Sequence, residues 1–237
     1  MASQKKQSVL NGAVILMVAV VSVKVIGALF KMPLTDMLGT VGRGYFQSAY
    51  EIYTPIFAIS MAGLPVAVSR MVAENVALSK YRDARAVFNV SKRIFLIVGT
   101  VGTLIIFIVA YPYAYFVAGL KSIPAILCVA PSVLFCCYMS AYRGYYEGLR
   151  NMTPTAISQV IEALGKLVIG LLLAKTVMSV GASQYAKGMA ASGNVSATVF
   201  GNQVTSLTEA NSVIVPWAAA GAVLGVTVGS IASLLFL

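Results

Sequence analysis

Six apolar runs, separated by more polar connections, dominate the sequence. Each run is long enough as an α-helix to cross the roughly 30 Å hydrocarbon core of a bilayer. A chain in lipid must satisfy its backbone hydrogen bonds within the protein, which favours helices over isolated strands. The pattern therefore predicts an all-α integral membrane protein whose six transmembrane helices span residues 10–32, 45–69, 94–119, 123–141, 155–178 and 213–237.

Basic residues concentrate in alternate connections, and this indicates the orientation in the membrane. Lys5 and Lys6 precede the first run, and the connection at 70–93 is the most basic part of the chain. Arg143 and Arg150 follow the fourth run, whereas the intervening connections carry fewer basic residues. By the positive-inside rule, the sequence predicts a multi-pass protein with its N-terminus in the cytoplasm.

The connection between the fifth and sixth runs has a different composition. Residues 181–211 are rich in Gly, Ser, Ala, Asn and Thr and carry almost no charge. A segment of this kind has little apolar surface to bury and rarely folds by itself. We expect a long extracytoplasmic loop that is poorly ordered or weakly helical.

Composition narrows the possible functions. The chain is 59% hydrophobic and 10% charged, so its net charge of +10 reflects membrane topology and not a basic surface for nucleic acid. It contains no histidine, which excludes histidine acid–base catalysis and the usual zinc sites. Its three cysteines match no metal-binding spacing, and there is no phosphate-binding loop motif. We expect neither an enzyme, nor a metal or cofactor, nor a nucleic-acid partner.

Charges inside the first run point to a ligand. Lys24 is the only charge within residues 8–30, and Lys31 follows about two helical turns later on nearly the same face. An intramembrane lysine costs about 2.5–3.5 kcal/mol on insertion scales unless it faces water or a partner. Gly27 and Pro33 flank the lysines and favour a bend there. The pattern indicates a site for an anionic ligand; the alternative is that both lysines snorkel to the interface.

Three further charges within the predicted spans are candidates for a site. Glu51 is near the outer end of the second span, and Glu162 and Lys166 are in the fifth. The i, i+4 spacing of Glu162 and Lys166 predicts an ion pair along one helix face. Such a pair either holds helices together or lines a polar cavity, and the sequence leaves both open.

The sixth run carries small residues at four-residue intervals: Gly221, Gly225 and Gly229. In membranes this spacing lets two helix backbones approach closely. It predicts that the sixth helix packs tightly against a neighbour.

Several segments together resemble a known family. The first, residues 24–39, reads Lys-Val-Ile-Gly-Ala-Leu-Phe-Lys-Met-Pro-Leu-Thr-Asp-Met-Leu-Gly. The others are residues 48–55, 62–70, 143–154, 158–162 and 218–225. They are similar to the multidrug/oligosaccharidyl-lipid/polysaccharide (MOP) exporters, and within these to the stage V sporulation protein B-like group, which is related to the lipid II flippases.

The resemblance implies an alternating-access transporter of two six-helix lobes, of which this chain is the first. The sequence ends inside an apolar run, as a truncated chain would, so a C-terminal lobe is expected in the full-length protein. In this family, cationic residues of the first helix face a central cavity and are thought to meet a lipid-linked diphosphate. Lys24 occupies a matching position and Lys31 lies near another. Glu51 departs from the group, in which a proline is expected.

The prediction is therefore a flippase of the bacterial cytoplasmic membrane for a lipid-linked cell-wall or polysaccharide precursor. Its partners would be the lipid-linked diphosphate-sugar substrate and membrane lipids. The candidate substrate-binding residues are Lys24, Lys31, Lys166, Glu162 and Glu51.

Two alternatives remain at this point. A cation-coupled multidrug exporter of the same superfamily would favour acidic residues in its cavity, so Glu51 and Glu162 support it and the two first-helix lysines argue against it. A non-transporting membrane scaffold for cell-wall or spore-cortex synthesis would need no buried charge.

Overall fold

The computed structural model describes residues 9–61, 63–191 and 196–237, and it is almost entirely helical. The helices are α1 (Val9–Met61), α2 (Leu64–Ala77), α3 (Tyr81–Tyr113), α4 (Ile123–Gly148), α5 (Thr153–Ala191) and α6 (Leu207–Phe236). A π-helical turn (Ala114–Ala118) and a 3-10 turn (Leu120–Ser122) join α3 to α4, and two short strands, β1 (Ala197–Val199) and β2 (Asn202–Val204), lie between α5 and α6. Of the described helices, all but α2 are long and apolar enough to cross a membrane. The predicted all-α membrane architecture is confirmed.

The long helix α1 is a hairpin of two arms. The backbone leaves the helical range at Gly39, whose φ of 66° and ψ of −174° suit a residue without a side chain. The rings of Phe30 and Phe46, on either side of this point, have centroids 5.7 Å apart. A straight helix would hold these residues roughly 24 Å apart. Residues 9–38 therefore form a first arm, and residues 40–61 form a second arm that returns beside it.

The position of the bend corrects a sequence prediction. The sequence favours bending at Gly27 or Pro33, but the departure from helical dihedrals in α1 is at Gly39. A β-carbon on Gly27 would meet no atom within 4 Å, so close packing does not explain that glycine either. Pro33 is accommodated inside the first arm, where it removes only one backbone donor.

A second break separates α1 from α2. Gly63 has a φ of 79° and divides the predicted single span at 45–69 into the end of the second arm and a separate helix. That helix, α2, packs closely on α4, because a β-carbon on Gly148 would lie 2.7 Å from the backbone oxygen of Ser69. The basic region 70–93, predicted as a connection, belongs mostly to α2 and α3.

The pair α5 and α6 is held together by glycines, as the small residues of the sixth run predict. A β-carbon on Gly229 would lie 2.7 Å from the backbone oxygen of Glu162, and one on Gly165 would lie 2.7 Å from the Cα of Gly229. Gly225 approaches Gly170 so closely that no side chain fits between them. This packing fixes the part of α5 that carries the predicted charged pair.

The segment 181–211 is mostly structured, which corrects the prediction of a loop. Helix α5 continues to Ala191, and β1 pairs antiparallel with β2. Their two-residue turn has φ values of 48° at Phe200 and 84° at Gly201, as tight hairpins with matching strand twist require. The hairpin folds because its apolar residues close over the ends of α5 and α6: Ala197, Val199, Val204, Ala210 and Ile214 form this small core.

Candidate functional site

A cavity of about 440 Å³ is lined by both arms of α1, by α5 and by single residues of α4 and α6. It brings together three of the five candidate residues, Lys24 on the first arm and Glu162 and Lys166 on α5. Arg143 of α4 and Tyr50 of the second arm also line it. The rest of the wall is mostly apolar: Val20, Val23, Ile26, Gly27, Phe30, Tyr53, Phe57, Gln159, Ala163 and Val226.

Lys166 is enclosed by three aromatic rings. Its Nζ lies 4.5 Å from the ring centroid of Tyr50, 5.2 Å from that of Phe30 and 5.9 Å from that of Phe46. The negative faces of the rings stabilise an ammonium group that has lost part of its water. Because the rings belong to both arms of α1, the hairpin at Gly39 builds this aromatic cage.

Glu162 pairs with Arg143, which corrects the predicted ion pair between Glu162 and Lys166. Arg143 Nη2 lies 3.0 Å from Glu162 Oε2, and the Arg143 Nε donates to Ser158 Oγ at 2.9 Å. The same Nη2 also contacts Ser233 Oγ of α6 at 3.5 Å. The sequence pattern predicts that Arg143 lies in a connection after the fourth span. In the structure it is a largely buried residue of α4.

The charges in the cavity do not cancel. Arg143 and Glu162 neutralise each other, which leaves the positive charges of Lys24 and Lys166 on the walls. A partly apolar cavity with excess positive charge favours an anionic ligand, because such a ligand replaces the water that the lysines lose.

The hydroxyl of Tyr50 in the cavity wall has no hydrogen-bond partner within the described residues. Its oxygen is buried, and it makes no hydrogen bond among the described residues. Leaving such a group unsatisfied costs about 1–3 kcal/mol, so these groups commonly serve a ligand or water. Sequence reasoning missed Tyr50 because only the return of the second arm brings it next to Lys166.

The other two candidates do not line the cavity. Glu51 is exposed on the second arm, and its Oε2 accepts a hydrogen bond of 3.1 Å from the hydroxyl of Tyr113. Glu51 follows Tyr50 directly, so the helix directs the two side chains about 100° apart. Lys31 is also exposed, on the part of the first arm nearer the bend.

A buried thiol lies behind the ion pair. Cys136 Sγ is 3.3 Å from Ser230 Oγ and 3.8 Å from Glu162 Oε1. In the ranges that the structure describes, no three His, Cys, Asp or Glu side chains are placed to hold a metal ion. The thiol contributes to the hydrogen bonds that hold α4, α5 and α6 together.

The sequence is similar to known membrane proteins. The pattern that defines the family described as "Polysaccharide biosynthesis protein" matches residues 9–207. The lipid II flippase MurJ of Bacillus subtilis (strain 168) is 27% identical over 67% of this chain and 31% of its own length. Stage V sporulation protein B of the same organism is 26% identical over 68% of this chain and 32% of its own. The uncharacterized membrane protein YabM, also from this organism, is 25% identical over 79% and 34%.

The chain spans about a third of the length of these curated relatives. No solved structure matches it significantly. The similarities confirm the resemblance to the stage V sporulation protein B-like group that the sequence motifs indicate.

Proposed function

The chain belongs to the polysaccharide biosynthesis protein family, and from this premise and its cationic cavity we propose that it takes part in moving a lipid-linked saccharide diphosphate across the membrane. The observation that carries the proposal is the meeting of Lys24, Lys166 and the free hydroxyl of Tyr50 in one cavity. Two ammonium groups and one hydroxyl donor match the oxygens of a diphosphate.

Physical chemistry explains why such a substrate needs a protein. A diphosphate-sugar headgroup cannot enter hydrocarbon alone, because transferring its charges from water costs far more than the lipid tail gains. The cavity supplies fixed positive charges and a donor in place of water, and the tail stays in the bilayer. At about 440 Å³ the cavity is within the usual size range of ligand pockets.

The proposed arrangement has six spans, with the two arms of α1 counted separately and the N-terminus in the cytoplasm of a bacterium. The cavity wall formed here would be completed by a second lobe, and alternate tilting of the lobes would expose it to each side in turn. Lys24 supports this arrangement, because it is exposed on the first arm and lines the cavity at the same time.

Two other functions receive less support. A cation exporter needs free acidic groups in its cavity, but Glu162 is neutralised by Arg143 and Glu51 lies outside it. A scaffold gains nothing from the unsatisfied hydroxyl of Tyr50 beside Lys166, since a buried polar group without a partner reduces stability unless something binds to it.

The test uses the full-length parent protein, purified and reconstituted in vesicles with a fluorescent polyprenyl-diphosphate saccharide. Lys166→Met should reduce the rate of headgroup translocation at least about tenfold, because one charge-assisted contact to the diphosphate is lost. Lys175→Met, an exposed lysine on the same helix outside the cavity, is the matched control and should translocate normally. Unchanged translocation in Lys166→Met, with the control also normal, would contradict the proposal.

A further inference from the structure

A second cavity lies at the other end of the molecule from the Gly39 bend, where α2 ends, α3 begins and α4 ends. Its volume is about 440 Å³. Tyr81, Arg82 and Arg85 of α3 and Tyr145 of α4 provide its polar groups. Its apolar wall consists of Val76, Ala84 and Leu149. No residue of this cavity belongs to the cationic cavity between the arms of α1.

The cavity carries two positive charges, on the exposed side chains of Arg82 and Arg85, and no acidic residue of the described chain lines it. Neither Arg82 nor Arg85 makes an ion pair within the described parts of the chain. Both lie in the first turns of α3, which begins at Tyr81 without a side-chain cap, so the positive end of the helix dipole adds to their charge. The acidic residue of the same turn, Asp83, is exposed and does not line the cavity.

The apolar wall of this cavity favours a lipid over a soluble anion as its ligand. Ala84 is buried, and Val76 and Leu149 are packed against the main hydrophobic core. Tyr145 stacks on Phe88 with ring centroids 4.4 Å apart, and Lys92 Nζ lies 4.6 Å from the Phe88 centroid. Aromatic side chains next to basic residues at the ends of membrane helices are typical of the headgroup layer.

We infer that this cavity binds the phosphate headgroup of an anionic phospholipid. Arg82 and Arg85 contact the phosphate oxygens, since guanidinium groups match phosphate geometry in pairs of hydrogen bonds. The glycerol and upper acyl carbons lie against the wall of Val76 and Leu149. The bound lipid ties the α2–α3 turn to the end of α4, and this role is independent of the proposed transport.

The experiment measures lipid binding to the full-length protein in detergent micelles by native mass spectrometry, with phosphatidylglycerol and phosphatidylcholine as probes. The double variant Arg82→Gln/Arg85→Gln should lose phosphatidylglycerol affinity by about tenfold or more and should leave the weak phosphatidylcholine binding unchanged. The matched control, Arg70→Gln/Arg93→Gln, removes two exposed arginines of the same region that lie outside the cavity, and it should change affinity less than about twofold.

Three outcomes would overturn the inference. Equal losses in both double variants would mean diffuse attraction to the whole basic region. Retained phosphatidylglycerol affinity in Arg82→Gln/Arg85→Gln would exclude the site. Displacement of the lipid by inorganic phosphate at equal concentration would assign the cavity to a soluble anion. If Arg82→Gln/Arg85→Gln unfolds, Arg82→Lys/Arg85→Lys keeps the charge and should retain an intermediate affinity.

Discussion

The helices α6 and α1 are both apolar enough to cross a membrane, but α6 is buried in the protein and α1 is largely exposed. Both are long and apolar, yet 61% of the most apolar 18-residue stretch of α6 is buried, against 11% for α1. The buried side of α6 consists mostly of Gly, Ala and Ser, whereas the first arm of α1 exposes large residues such as Leu10, Met17 and Leu29. In a membrane, small residues bring helices together and large ones face lipid or another surface.

The charges of the two regions differ in the same way. Between α4 and α5, Arg143 and Glu162 form an ion pair, and Arg143 also donates hydrogen bonds to Ser158 and Ser233. On the first arm of α1, Lys24 is exposed beside the cavity and pairs with no acidic group among the described residues. We therefore expect the ion pair to stabilise the packed helices, and Lys24 of the outer arm to serve the proposed ligand together with Lys166 of α5.

The largest expected effect is on the paired charges. Glu162→Gln should lower the free energy of unfolding by about 2–3 kcal/mol, because it leaves Arg143 buried without a counter-charge. This loss is smaller than for a fully buried pair, since the Glu162 side chain is 25% exposed. Chemical denaturation of the full-length protein in detergent measures the change.

The double variant Arg143→Met/Glu162→Met is the control for this prediction. It removes both charges and should be more stable than Glu162→Gln. If the single and double variants lose the same stability, the ion pair does not hold the helices together.

The next effect concerns the glycines. Gly225→Ala should cost about 1–3 kcal/mol, because the new methyl group meets the backbone of Gly170. Gly27→Ala on the first arm is the matched control, since its β-carbon meets no atom within 4 Å. It should be neutral or stabilising by up to about 1 kcal/mol through helix propensity. Thermal unfolding measures both, and equal destabilisation would show that the first arm is packed as tightly as α6.

The contrast between these glycines shows what the sequence could predict. The small-residue spacing of Gly221, Gly225 and Gly229 is a local pattern, and it predicts close packing without any knowledge of the partner helix. Apolar length likewise predicts membrane helices. The sequence could not predict that α1 bends at Gly39 instead of Gly27. A glycine allows many backbone dihedral angles, but the sequence does not show which of them the chain adopts.

The candidate site was only partly predictable for the same reason. Lys24 and Lys166 stand out as charges in apolar runs, and the structure brings both to one cavity. The partner of Glu162 depends on the distance between α4 and α5, so the i, i+4 pattern on one helix selects the wrong residue. A tyrosine in an apolar run gives no sign of function in the sequence. Only the bend of α1 at Gly39 places Tyr50 beside Lys166.

A smaller effect on stability, with a large effect on function, is expected for Lys24. Lys24→Met should leave the unfolding temperature unchanged, because no partner among the described residues is lost. It should abolish complementation by the full-length parent in a flippase-depleted strain, whereas Lys24→Arg should retain part of the activity. Protein abundance in the membrane is measured alongside. Normal complementation by Lys24→Met at normal abundance would leave Lys24 as an interfacial anchor and remove the functional difference between the two regions.

The smallest effect is expected for the hydroxyl of Tyr50. Tyr50→Phe removes a buried group that has no internal partner, so it should leave stability unchanged or raise it slightly. If the hydroxyl donates to the diphosphate, binding of a polyprenyl-diphosphate saccharide should weaken about three- to tenfold, the range of one net hydrogen bond.

Tyr113→Phe is the matched control, because it removes a hydroxyl that already donates to Glu51 outside the cavity. It should leave substrate affinity unchanged. Equal affinity of the wild-type protein and Tyr50→Phe would show that the hydroxyl does not touch the substrate, and the anion site would then consist of the lysines alone.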